Sequence, residues 1–532
     1  MRTLLFLGIF ISCQFTVFAQ QDAWIYFTDK PNASTLLLDP INILTQAAID
    51  RKTNHGVTID ERDVPVHEPY ITQIKAATGI TYLAKSKWFN AVHLRGSEID
   101  INNLMTYNFV AEIIFANSNL NARIGSVQDK LEVESSFTDF TYGTTQNQVE
   151  MLTIEALHVA DFTGEGVKVA VIDAGFPNVN TMSGFERLRT AGNLMGGYDF
   201  VDRTTDIYSS TDSQHGTNVL STMAGFVEDQ FVGTAPDATY YLFRTEDVSS
   251  ENPVEESYWL EAVERADSLG IHVINTSLGY KDFDNSSYNY TSQQLNGTTA
   301  YSSKGANIAF EKGLILINSA GNSGVNGIIA PADAAGVLTI AAVDGNETYA
   351  SFSSQGSAFQ LTHKPDVAAR GSGSFIIRKD DQIAQANGTS FSSPILAGGV
   401  TSLVQALPNA TNTQMMAYIR ESASQYMNPD YFIGYGIPNF QFALTLGHKE
   451  QSFKKNGFVV FPNPVVSNLS VKFPHSMDAV FVSFHNLLGH LIYKTQVQNM
   501  QPIDVEALSK GLYFLTIQSE NQKPITFKIL KN

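Results

Sequence analysis

Four continuous apolar runs constrain this chain more than any other feature. Val167 to Ile172, Ile271 to Ile274, Leu314 to Ile317 and Val337 to Val343 are rich in β-branched residues and lack polar alternation. Strands that read this way are buried on both faces, as in a parallel sheet covered by helices on either side. Helical spacing fills the segments between them, so the region from Gly166 to about Leu446 is expected to be α/β and doubly wound. The full 532 residues exceed one domain. Before this region, residues from Gln20 to about Asp139 mix short strand-like alternations (Trp24 to Phe27, Phe109 to Phe115) with helix-like stretches such as Ile41 to Lys52, which reads as a small α/β unit. Residues 100–141 are rich in Asn, Ser, Thr and Asp, as a linker is, with a boundary near Tyr142. After it, a polar spacer at 449–456 leads to an all-β unit over 457–532, expected as an immunoglobulin-like sandwich.

Charge and cysteine content exclude several functions. With 52 acidic against 34 basic side chains, the chain lacks the cationic surplus that binds a phosphate backbone, so no nucleic-acid partner is expected. The one cysteine, Cys13, can build neither a disulfide framework nor a zinc-thiolate cluster. It lies in a basic start (Met1-Arg2) followed by an apolar core (Leu4 to Ile11) and the small residues of Val17-Phe18-Ala19. This is the pattern of a secretory signal peptide over 1–19, the alternative being an N-terminal anchor. No later stretch has the length and apolarity of a transmembrane helix, so the mature protein is expected to be exported without a transmembrane anchor.

Four residues stand where a doubly wound sheet carries chemistry. Asp173 follows Val169-Ala170-Val171-Ile172 at the carboxyl end of an expected strand, where open α/β sheets place active groups. There a carboxylate can orient a histidine, although a strand-end aspartate also serves as an ordinary loop or cap residue. His215 opens an apolar helix pattern in His215-Gly216-Thr217-Asn218-Val219 and can reach into a cleft or remain a surface histidine. Ser390 lies in Gly388-Thr389-Ser390-Phe391-Ser392-Ser393-Pro394 ahead of an expected helix, with Pro394 placed in the first turn. Nucleophile and simple cap are both open to such a serine, whose backbone N–H faces developing negative charge at a positive helix end. Asn322, in Ala320-Gly321-Asn322-Ser323-Gly324 after a buried run, can donate to an oxyanion or simply make a turn.

Taken together, these motifs resemble the subtilisin-like serine peptidases, over roughly residues 142–446. Supporting stretches are Gly233 to Ala238, Asn275 to Gly279 and Gly434-Tyr435-Gly436. The resemblance implies an endopeptidase domain at 142–448 that hydrolyses proteins or peptides through Asp173, His215 and Ser390, with an acyl-enzyme intermediate and Asn322 at the oxyanion. It implies that Ser277, Leu278 and Gly279, together with Ser319, Ala320 and Gly321, line the substrate cleft and pair with the peptide backbone. Ala174, Phe391, Ser392 and Arg370 depart from the usual family residues without removing a catalytic atom. The residue at the base of the primary specificity pocket cannot be carried over. An inactive relative that serves as a surface binding or adhesion protein is the alternative function.

The flanks carry resemblances of their own. Ser86 to Val92 and Phe109 to Ile113 are similar to the propeptide of secreted subtilases, implying a zymogen over 20–141; an independent binding module is the alternative. The tail is similar to the C-terminal sorting domain of type IX secretion cargo in Phe461-Pro462-Asn463-Pro464, Asn486-Leu487-Leu488-Gly489 and Leu508 to Phe514, where a plain binding β-sandwich is the alternative. That resemblance makes the type IX apparatus a partner and the cell surface or medium the destination, reached through the periplasm. No cofactor is required by such chemistry. A structural calcium ion is a family habit, for which Asp282, Asp284 and the insertion up to Lys304 are the candidate region.

Overall fold

The computed structural model describes residues 20–120 and 140–447, and in the C-terminal region 458–461, 465, 467–473, 479–486, 489–519 and 524–531. The expected signal peptide with Cys13, residues 121–139 of the expected linker, the spacer at 449–456, and the Pro462-Asn463-Pro464 and Leu487-Leu488 portions of the tail motifs lie outside the described residues.

The N-terminal unit is an antiparallel sheet of β1 (Gln20–Phe27), β2 (Thr81–Ser86), β3 (Ala91–Ser97) and β4 (Val110–Phe115), in the order β2-β3-β1-β4. Residues 100–120 correct the linker reading. They hold most of a helix at Glu98–Asn103 and all of β4, which pairs with β1 from Ala23↔Phe115 to Phe27↔Val110. The polar composition misleads because Asn102, Asn103, Thr106 and Asn108 take the exposed positions while Ile101, Leu104, Phe109 and Val110 are buried.

The central domain is built on β5 (Lys168–Asp173), β6 (Leu194–Asp199), the two-residue ribbon strands β7 (Phe226–Val227) and β8 (Phe231–Val232), β9 (Thr239–Arg244), β10 (Val273–Thr276), β11 (Ile315–Ser319), β12 (Val337–Val343) and β13 (Val367–Arg370). Apart from the ribbon, these strands form one seven-stranded parallel sheet in the order β13-β12-β11-β10-β5-β9-β6. Strand alternation divides its side chains between two cores. Val169 and Val171 face the helices His215–Ala224 and Thr389–Ala406, whereas Ala170 and Ile172 face Val254–Leu269 and Tyr301–Glu311. From β5 the chain crosses to β6 at the sheet edge, fills β9 in between, and then returns to build β10 to β13 on the other side. The carboxyl ends of β5 and β10 therefore flank a topological switch point, where such folds open a crevice.

The N-terminal unit packs on the helix Val254–Leu269. Trp24 and Trp88 join its apolar core, and Trp24 Nε1 donates to Ser257 Oγ at 2.9 Å. The β2-β3 turn presents its donors to one carboxylate: Ser86 Oγ, Lys87 N and Trp88 N donate to Glu264 at 2.6, 2.9 and 3.0 Å. Burial pushes the Glu264 carboxyl above the usual range, and those donors together with the Lys87 charge oppose it. Arg51–Asp267 at 2.5 Å, Lys52–Asp267 at 2.9 Å and Lys312–Asp63 at 2.7 Å add fully buried ion pairs across the same contact.

The C-terminal unit is all β. One antiparallel sheet has strands Val459–Phe461, Asn468–Lys472 and Pro502–Asp504, and the other has Val480–His485, Leu491–Val497, Gly511–Gln518 and Ile525–Lys531. Leu469 and Val471 from the first sheet and Val482, Phe484, Leu515 and Ile517 from the second share its core. Among the described residues, no helix is long and apolar enough to cross a membrane.

Candidate active site

Asp173 is the last residue of β5 and His215 the first residue of its helix, so local structure alone aims both at the switch point. His215 Nδ1 donates to Asp173 Oδ1 at 2.7 Å, and Ala174 N donates to the same oxygen at 2.7 Å. Gly216 permits this approach, because a Cβ there would lie 2.9 Å from Asp173 Cβ and 2.6 Å from the Gly175 carbonyl. Asp173 is fully buried, while a third of the His215 side chain is exposed. Burial by itself would lower the proton affinity of the imidazole. The Asp173 charge and hydrogen bond, with a contribution from Glu246, outweigh it and hold the His215 pKa above the ordinary histidine value. The neutral ring that accepts a proton thus predominates only at a pH above that raised pKa.

Ser390 is the second residue of the helix Thr389–Ala406, and Pro394 falls in the second turn. This corrects the expectation of a serine ahead of the helix with proline in its first turn. The missing Pro394 N–H leaves the Ser390 carbonyl without its helical donor. Ser277 Oγ takes that role, donating to the Ser390 carbonyl at 3.0 Å, and so ties the end of β10 to the helix start. The Ser390 hydroxyl donates to the Ser277 carbonyl at 3.5 Å and makes no hydrogen bond to His215. Rotation about one side-chain bond redirects such a hydroxyl, and hydrogen bonds of this kind commonly tighten only with substrate bound.

Asn322 stands in the loop after β11. Its Oδ1 accepts from Thr389 N at 2.9 Å and from Thr389 Oγ1 at 3.0 Å, so the amide is oriented with Nδ2 as its open donor. Thr389 Oγ1 also accepts from Gly321 N at 3.2 Å. Ser277, Leu278 and Gly279 continue from β10, and Ser319, Ala320 and Gly321 end or follow β11. Asn318 Nδ2 bridges the two segments, bonding the Leu278 carbonyl at 3.0 Å and the Ser319 carbonyl at 2.9 Å.

The departures from the family pattern are absorbed locally. Ser392 Oγ donates to the Thr389 carbonyl at 3.1 Å, and Arg370 donates to Asn147 Oδ1 at 2.7 Å and to the Gly373 carbonyl at 2.7 Å. Sequence reading missed Glu246, two residues beyond the end of β9, whose Arg244 pairs with Asp173. Burial pushes its carboxyl up to about 7, against hydrogen bonds from Thr245 Oγ1 at 2.8 Å and Tyr280 OH at 2.9 Å. Asp282 accepts from Asn289 Nδ2 and Asp284 from Glu251 N, each at 3.1 Å, and among the described residues no three His, Cys, Asp or Glu side chains converge.

A buried carboxylate holding a histidine, beside a serine in the first turn of a helix and an open amide donor, is an arrangement suited to acyl transfer at the edge of a parallel sheet. Comparison with known proteins gives the class. Residues 164–436 match the subtilase family, residues 22–132 the peptidase S8 propeptide domain of Bacteroidota, and residues 459–532 a secretion system C-terminal sorting domain. M-protease of Shouchella clausii (strain KSM-K16) is 26% identical over 415 residues, covering 77% of this chain and 97% of the relative. Subtilisin E of Bacillus subtilis (strain 168) is 30% identical over 300 residues, covering 56% of this chain and 70% of the relative. Among solved structures, MycP1 from Mycobacterium smegmatis is 24% identical with a TM-score of 0.46, covering 60% of this chain and 89% of that one.

The chain belongs to the subtilase family and is a subtilisin-like serine endopeptidase. It carries the family's propeptide and a type IX C-terminal sorting domain, which marks it for export to the cell surface or the medium.

Proposed function

We propose that the chain hydrolyses peptide bonds in proteins through Asp173, His215 and Ser390. The observation that carries the reading is the 2.7 Å Asp173–His215 hydrogen bond at the switch point beside the Ser390 helix start. His215 Nε2 takes the Ser390 proton as the hydroxyl oxygen attacks the scissile carbonyl carbon, and Asp173 stabilises the imidazolium. The resulting oxyanion receives Asn322 Nδ2–H and Ser390 N–H. As the carbon–nitrogen bond breaks, His215 gives its proton to the leaving amine. Water, deprotonated by the same ring, then releases the acid from the acyl-enzyme and restores Ser390. Substrate backbone is held along Ser277 to Gly279 and Ser319 to Gly321. No cofactor enters these steps.

Asn322→Ala is expected to lower kcat by about 10² to 10³ with little change in KM, because the oxyanion exists only beyond the ground state. Steady-state rates on one peptide check this. A defect confined to KM would reassign Asn322 to ground-state binding.

The N-terminal unit acts as a removable inhibitor and folding partner, and the C-terminal unit delivers the chain to the type IX apparatus. Chain size tests the peptidase and zymogen readings together. Wild-type protein should lose the N-terminal unit during maturation, whereas Ser390→Ala protein should keep it. Equal trimming of both would assign the cut to another protease.

A further inference from the structure

Two glycines, Gly279 and Gly321, face each other across the gap between the cleft segments, and the gap is not empty. A Cβ built on Gly279 would overlap Ile329 Cδ1 and lie 2.5 Å from Ile329 Cγ1; one on Gly321 would lie 3.2 Å from each of the same two atoms. The end of the Ile329 side chain thus lies against both glycines. Its direction is fixed by its neighbours. Tyr280 and Ala330 exchange both backbone hydrogen bonds, at 2.7 and 3.2 Å, and Ile328 turns the opposite way to pack with Ala320 and Ala332. Ile329 itself is only partly buried.

A substrate that presents its carbonyl to Ser390 and Asn322 must lay the residue bearing that carbonyl between these segments. Both converge on the same helix start, through Ser277 Oγ donating to the Ser390 carbonyl and Gly321 N donating to Thr389 Oγ1. We infer that the side chain of that residue points into the Gly279–Gly321 slot, that Ile329 floors this primary specificity pocket, and that it limits the residue to glycine, alanine or serine. The inference rests on the peptidase reading above and adds its substrate class. A longer aromatic or branched side chain would meet the Ile329 methyl groups before its carbonyl reached the Ser390 hydroxyl, so the loss appears in kcat/KM.

The test is to digest a denatured protein with the mature enzyme, map the residue on the acyl side of every cut by mass spectrometry, and measure fluorophosphonate labelling in parallel. Small residues should dominate, with kcat/KM for an alanine peptide at least about 10²-fold above that for its phenylalanine counterpart, the scale on which a packed pocket discriminates. Ile329→Gly and Ile329→Ala should each narrow that ratio by tenfold or more while still taking the label. Wild-type cuts concentrated after phenylalanine, tyrosine or leucine would overturn the pocket inference and leave the peptidase reading intact. Absence of both cuts and label would overturn both.

Discussion

Ser390→Ala protein is expected to hydrolyse peptides about 10⁶-fold more slowly than wild type, the scale of loss when a serine peptidase of this kind loses its nucleophile. The fold should be little affected. The hydroxyl makes only a 3.5 Å contact to the Ser277 carbonyl, and alanine is a good helix former in the first turn of Thr389–Ala406. The stronger link between the same residues, from Ser277 Oγ to the Ser390 backbone carbonyl, survives the change. Unfolding curves should therefore nearly coincide while initial rates on a peptide substrate collapse. A rate within tenfold of wild type would show that another group attacks.

Asp173→Asn should cost about 10⁴ in kcat without displacing the histidine. In the wild-type chain, Asp173 Oδ1 accepts both the His215 Nδ1 proton and the Ala174 N–H. An asparagine whose NH₂ takes the place of that oxygen gives up the Ala174 bond, donates to Nδ1 and drives the ring proton onto Nε2. The nitrogen facing the serine then has no lone pair to accept with. Loss of the carboxylate charge also removes the main force that raises the His215 pKa against burial, so the acid limb of the remaining activity should move to lower pH. A pH–rate profile with full wild-type height would mean that another acid orients the ring.

The positions of Asp173 and His215 were legible in the sequence because local rules set them, a run of apolar residues ending in a carboxylate and an apolar helix pattern beginning at a histidine. The order of the parallel strands was not, since β6 and β9 lie on one side of β5 and β10 to β13 on the other only through long crossovers. Ser390 was placed at the helix start, but the helix begins at Thr389 and runs through Pro394. What permits this is a hydroxyl more than a hundred residues away in sequence, which local preference cannot register. Glu246 and Ile329 were invisible for the same reason. Neither sits in a distinctive motif, and each reaches the site through the register of strands and loops that meet only in three dimensions. The reading of residues 100–120 failed differently, because composition averages over the exposed Asn and Thr side chains and hides the buried Ile101, Leu104, Phe109 and Val110.

Treatment of the matured chain with a fluorophosphonate, followed by intact-mass measurement and mapping of the modified peptide, tests the central claim most directly. The account predicts one adduct per chain, on Ser390, with slower labelling as His215 becomes protonated at low pH and no adduct in Ser390→Ala protein. A chain that hydrolyses peptides yet carries the label elsewhere, or not at all, would contradict it.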